Sequence, residues 1–190
     1  WNKEYNELKP TSIVMTSPDG MVWTHQKSFG KIEIYCVEWT GSCLVAMGEN
    51  GCIVRSTDGG ITWSHPTSVT HDDLSGVAWG NNVFVSIGEN GMVCSSPDGK
   101  SWTRRTSGTS KSLRAIVWGK GKFVAVGDTG VVITSADGIS WSDRSLSSNQ
   151  NLNCLTWGGE PQKEKFVVCG GTMYARDGRY PVFSLHQGTD

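Results

Sequence analysis

No stretch of this 190-residue chain approaches the roughly 20 consecutive apolar residues that a membrane-spanning helix needs, so no membrane span is expected. An excess of one charge is missing too. Seventeen basic residues face 18 acidic ones, without the basic surplus of a nucleic-acid binder, and no nucleic-acid partner is expected. The six cysteines, Cys36, Cys43, Cys52, Cys94, Cys154 and Cys169, form no CxxC pair, and no histidine stands at metal-finger spacing from them. They are read as small buried hydrophobes, with no metal and no cofactor implied. The chain lacks an Asn-x-Ser/Thr acceptor, which disfavours a glycosylated eukaryotic surface protein. It also lacks a Ser-His-Asp order, a phosphate-binding loop and a visible signal peptide. It begins with Trp1, so the numbered chain is read as a mature, trimmed or partial product.

What is present is a repeat. Ser17-Pro18-Asp19-Gly20, Ser56-Thr57-Asp58-Gly59, Ser96-Pro97-Asp98-Gly99 and Ser135-Ala136-Asp137-Gly138 each lead into a tryptophan: Trp23, Trp63, Trp102 and Trp141. Their aspartates are 39, 40 and 39 residues apart, and a degenerate copy, Ala175-Arg176-Asp177-Gly178, comes after 40 more. A second series, Trp39, Trp79, Trp118 and Trp157, keeps the same step, and Trp1 fits it. Between these markers lie short β-rich runs separated by Gly, Asn and Asp. One unit reads Gly76-Val77-Ala78-Trp79, then Phe84-Val85-Ser86-Ile87, then Met92-Val93-Cys94-Ser95, then Trp102-Thr103-Arg104. Four such runs form an antiparallel meander, and no segment has a helical period. Runs such as Val45-Ala46-Met47 and Val124-Ala125-Val126 carry apolar residues on both faces, as packed blades require. The Asn50-Gly51 and Asn90-Gly91 pairs suit tight hairpin turns with positive φ, and Thr129-Gly130 is a poorer version.

Each Ser-x-Asp-Gly turn is self-sufficient as a structural staple. The aspartate can accept backbone amides of its own turn, the glycine permits positive φ, and the tryptophan covers the turn. These segments resemble the Asp-box, or BNR repeat, of sialidases, sortilin-type receptors and photosystem assembly factors. Ser56 to Trp63 (STDGGITW) matches the pattern most fully, and the other three copies are one residue shorter. The resemblance implies a β-propeller with the box between the third and fourth strands of a blade, away from the active face.

The fold expected is therefore all-β: one propeller domain over residues 1–190, of four-stranded antiparallel blades, with five blades preferred. The alternative is a piece of a six- or seven-bladed ring. The strand-like segment 180–185 could be the outer strand of the last blade or the missing inner strand of the first.

In such a ring the box turns occupy one face. The second-to-third turns and the blade-to-blade loops (65–73, 104–111 and 142–151) occupy the other. The candidate ligand residues lie there, at one position in three repeats: Glu49 and Asn50, Glu89 and Asn90, Asp128 and Thr129. Carboxylate and amide pairs offer acceptors and donors to sugar hydroxyls, and they are also ordinary solvated turn residues. No catalytic residues are assigned. The seven arginines, Arg55, Arg104, Arg105, Arg114, Arg144, Arg176 and Arg179, form no convergent trio in sequence. The leading expectation is a non-catalytic, lectin-like binding module whose weak sites gain strength by multivalency. The alternative is a protein-binding scaffold, and a glycoside hydrolase comes third. The partner is thus a glycan or a protein, and an extracellular location is favoured.

Overall fold

The computed structural model describes residues 12–160 and 162–171. Trp1, the degenerate copy at Asp177 and the segment 180–185 lie outside the described residues. Within them the chain forms antiparallel sheets in sequence order, one per repeat. The first holds β1 (Ile13–Thr16) and β2 (Thr24–Ser28). The second holds β3 (Ile34–Trp39), β4 (Leu44–Gly48) and β5 (Ile53–Ser56), with a bridge from Arg55 to Ser64 in place of a fourth strand. The third is a full blade: β6 (Leu74–Gly80), β7 (Val83–Gly88), β8 (Val93–Ser96) and β9 (Thr103–Arg105). The fourth copies it with β10 (Leu113–Gly119), β11 (Lys122–Gly127), β12 (Val132–Ser135) and β13 (Ser142–Asp143). The fifth holds β14 (Leu152–Gly158) and β15 (Lys165–Gly170). The first strands of successive blades pack together: β3 on β6, β6 on β10, and β10 on β14. The architecture is a β-propeller.

The two-sided apolar runs result from this packing. On β7, Phe84 enters the core shared with the second blade, among Val45, Met47, Leu74, Cys94 and Trp102. Its neighbours Val85 and Ile87 enter the opposite core, among Leu113, Ile116, Phe123 and Ile133. Successive side chains of a strand point to opposite faces, so an inner strand between two blades is apolar throughout. Tryptophans wedge the same interfaces. A Cβ added at Gly80 would lie 2.1 Å from the indole of Trp118, and one at Gly119 would lie 2.3 Å from that of Trp157. Glu38 of β3, half-buried, accepts the Trp79 backbone N–H at 3.0 Å across the blade junction. Burial raises its pKa, and the N–H opposes that shift.

The Ser-x-Asp-Gly turns form the staples that their composition predicts. Asp98 Oδ1 accepts the N–H groups of Lys100 and Ser101 at 2.8 and 3.0 Å, and Ser96 Oγ accepts that of Gly99 at 2.8 Å. Asp137 and Asp19 repeat the pattern with Ile139 and Ser140, and with Met21 and Val22. In the longer turn Asp58 takes the N–H and hydroxyl of Thr62 instead. The indoles of Trp23, Trp63 and Trp102 donate to the carbonyls of Gly20, Gly60 and Gly99. Two of the staples also clip a neighbouring blade. Arg55 Nε donates to Asp98 O at 3.0 Å, and Asn81 Nδ2 donates to Ala136 O at 3.3 Å. The second bond places a first-to-second turn beside a box turn, on one face.

These bonds depress the carboxylate pKa values, that of Asp58 to about 2, chiefly through the Thr62 hydroxyl and N–H. Those of Asp98 and Asp137 are lowered by the turn amides first, as is that of Asp19. A folded pKa below the unfolded value means that protonation favours unfolding. The contribution is complete above the ordinary value of 3.8 and is lost as pH falls toward 2. The melting midpoint should therefore fall as the pH drops below about 4. Circular dichroism melts would check this, and a midpoint unchanged down to about pH 2 would contradict it.

Candidate functional site on the loop face

The second-to-third connections are the same in three blades: Glu49–Gly51, Glu89–Gly91 and Asp128–Gly130. Asn50, Asn90 and Thr129 all sit at φ 54, and the glycines that come next at φ 70, 69 and 75. The N–H groups of Cys52, Met92 and Val131 donate back to the carbonyls of Glu49, Glu89 and Asp128. Two left-handed residues closed by such a bond make the hairpin turn that Asn-Gly prefers. Thr129 meets the same geometry with a β-branched side chain, a poorer fit. Just before each turn, Gly48, Gly88 or Gly127 lets the start of the first strand pass against the backbone. A Cβ there would lie 1.8, 2.1 or 2.0 Å from the carbonyl oxygen of Glu33, Asp73 or Ser112.

The next blade then ties the turn down. Asp73, at the entry to β6, accepts the Asn50 N–H at 2.8 Å and the Tyr35 hydroxyl at 3.3 Å. Asn151, at the entry to β14, accepts the Thr129 N–H at 3.0 Å. These bonds join turns to inter-blade loops and place both on one face, opposite the box turns. The six candidate residues do not share one state. The Asn90 amide donates to Asp72 at 2.9 Å, and Thr70 holds the other oxygen of that carboxylate. Asp72 accordingly has a lowered pKa, with the Asn90 bond as the first cause. Asp128 pairs with the Arg114 guanidinium. Among the described residues no hydrogen bond holds the carboxylates of Glu49 and Glu89, the Asn50 amide or the Thr129 hydroxyl. Two of the six are thus spent on holding the structure.

Two clefts open between the turns and the inter-blade loops. The first, of about 750 Å³, is lined by Lys31, Glu49, Asn50, His65, Ser68 and His71 among others. The second, of about 560 Å³, lies one blade on and is lined by Asn90, Arg104, Arg105, Ser107 and Thr109. Arg105 Nε is held by Ser95 Oγ at 2.9 Å, and Arg104 is exposed. The first cleft contains one carboxylate, Glu49, and the second none. Among the described residues no group of three or more His, Cys, Asp or Glu is placed to hold a metal ion.

One set of residues on this face escaped the sequence reading. Every first strand from the second blade to the fifth has a bulge after its first residue, at Tyr35, Ser75, Arg114 and Asn153. A bulge re-aims a side chain out of the strand's alternation. Tyr35 reaches Asp73 of the next blade, Ser75 donates to Leu113 O at 2.6 Å, and Arg114 reaches Asp128. Lost solvent, and then the charges of Asp73 and Glu33, push the Tyr35 hydroxyl up to about 12. The four residues form a row along the innermost strands where these meet the loop face. The available signal was a column whose residue type changes from blade to blade inside an otherwise repeated strand.

Likeness to solved structures supports the fold. A YCF48 bound to a D1 peptide superposes with a TM-score of 0.58 at 18% identity, covering 77% of this chain and 46% of that one. YCF48 from Cyanidioschyzon merolae gives 0.60 at 15%, covering 80% and 56%. An ancestral GH74 enzyme gives 0.55 at 14%, covering 77% of this chain and 25% of its own. The chain thus spans about half the length of the first two and a quarter of the third. No family profile matches it, and no curated protein matches it.

Proposed function

We propose that this chain is a non-catalytic propeller that holds an extended segment of a partner protein across its loop face. The carrying observation is that two adjacent clefts on one face have the same backbone frame and different linings. The first offers Lys31, His65, His71 and Glu49; the second offers Arg104 beside serine and threonine hydroxyls. A multivalent glycan of repeated units is served best by equivalent sites, whereas a peptide presents a different side chain at each step. The turn groups at Asn90 and Asp128 are also engaged within the protein, which leaves the three repeats unequal as sugar sites. That one similar propeller is bound to a peptide favours the same reading over the lectin-like one. Glycoside hydrolysis uses a pair of carboxylates about the scissile bond, and neither cleft contains such a pair.

The test is a peptide array and a glycan array probed in parallel with the folded protein. Binding is expected to a set of peptides sharing an acidic residue, which Arg104 would meet. Arg104→Glu should weaken the best of them at least about tenfold, roughly 1.4 kcal/mol. Met21→Ser, on the opposite face, should leave the affinity unchanged. Binding to defined glycans with blank peptides would overturn the proposal.

A further inference from the structure

Two of the six cysteines do not fit the reading of small buried hydrophobes. Cys43 and Cys94 are buried and Cys36 and Cys52 half-buried, whereas Cys154 and Cys169 are both exposed. They are also direct partners across β14 and β15, Cys154 opposite Cys169. The same register position holds Cys36 opposite Met47, Gly76 opposite Ile87 and Ala115 opposite Val126 in the earlier blades. There it is a packing position: Ile87 lies in the core between the third and fourth blades, and Ala115 and Val126 pack with Leu152 of the fifth. Only in the fifth blade are both members cysteine, and only there are both exposed among the described residues.

We propose that Cys154 and Cys169 form a redox-active dithiol that closes to a cross-strand disulfide, stapling β14 to β15. Facing residues of an antiparallel pair have Cα atoms about 4.5–5.5 Å apart, within the span a disulfide bridges. The oxidant is a low-molecular-weight disulfide such as oxidised glutathione. One cysteine thiolate attacks it, forms a mixed disulfide and expels one glutathione thiolate. The second cysteine thiolate attacks the protein sulfur of that mixed disulfide and expels the other. Two protein thiols are oxidised, one glutathione disulfide is reduced to two thiols, and the two protein protons pass to the leaving thiolates. Lost solvent and then the adjacent Cys169 raise the pKa of Cys154. The reaction should therefore quicken with rising pH, because the thiolate is the attacking species. Cys36 and Cys94, pushed up to about 12 by burial, should stay reduced.

The test incubates the full chain, freshly reduced, with oxidised glutathione. Acid quenching, denaturing alkylation and tryptic mass mapping come next. Cleavage at Lys163 and Lys165 separates the two cysteines, so the disulfide appears as a linked peptide pair that reductant releases. The pair is expected in most molecules, with the other four cysteines alkylated. Cys154→Ser and Cys169→Ser should each leave a stable glutathione adduct on the remaining member, because no second thiol displaces it. Persistent mixed disulfides on the unmutated protein would overturn the proposal. So would failure of either cysteine to react, or linkage of one of them to Cys36 or Cys52.

Discussion

Gly88→Ala is expected to lower the melting midpoint by about 10 °C, among the largest effects of any single methyl group in this chain. Gly88 has an extended backbone, which any residue can adopt, so the cost is steric. The new Cβ would stand 2.1 Å from the carbonyl oxygen of Asp73 and 3.1 Å from its carbon. No flexible side chain can give way there. Relief requires that β6 part from the end of β7, and the parting would strain the bond from the Glu89 N–H to the same carbonyl, now 3.0 Å. It would also move Asp73, which anchors the Asn50 turn of the preceding blade. Gly158→Ala is the matched control: nothing lies within 4 Å of its would-be Cβ, and it should be nearly neutral. Thermal melts of the two variants beside the parent decide the matter. Equal midpoints would refute the close approach of the two strands.

Phe84→Ala should cost about 3–5 kcal/mol, again near 10 °C. Phe84 is 1% exposed and its ring stands 4.5 Å from that of Trp79 and 6.1 Å from that of Trp102, so its removal leaves a cavity at the junction of two blades. Phe123 repeats the site against Trp118 at 4.6 Å and should cost as much. Phe166 makes the same contact with Trp157 at 4.4 Å but is only half-buried, so its truncation should cost clearly less. Denaturant titration of the three variants tests the order. A Phe166→Ala loss equal to that of Phe84→Ala would show that the fifth blade is packed as tightly as the third.

The legible parts of this protein are those set by local chemistry. Ser-x-Asp-Gly with its tryptophan makes its bonds within eight residues in the fullest case, Ser56 to Trp63, so each copy can be read without knowledge of its surroundings. Asn50-Gly51 likewise declares its turn, and Phe84-Val85-Ser86-Ile87 declares burial on both faces. The sugar-site reading of the turn residues was less secure, because their employment is settled at a distance along the chain. Asp72, 18 residues before Asn90, holds its amide, and Arg114, 14 residues before Asp128, holds its carboxylate. The bulge row was hidden by the regular alternation that it breaks. Cys154 and Cys169 occupy columns that are packed in the other repeats, and nothing in their neighbouring sequence signals that they are exposed here.

The central claim is that the loop face, not the box face, holds the ligand. Hydrogen exchange with and without a peptide selected from the array addresses it directly. Slowed exchange is expected in residues 65–73 and 104–111 and at the turns of Asn50 and Asn90, with the box turns of Asp58 and Asp98 unchanged. Protection confined to the box turns, with the inter-blade loops unaltered, would contradict it.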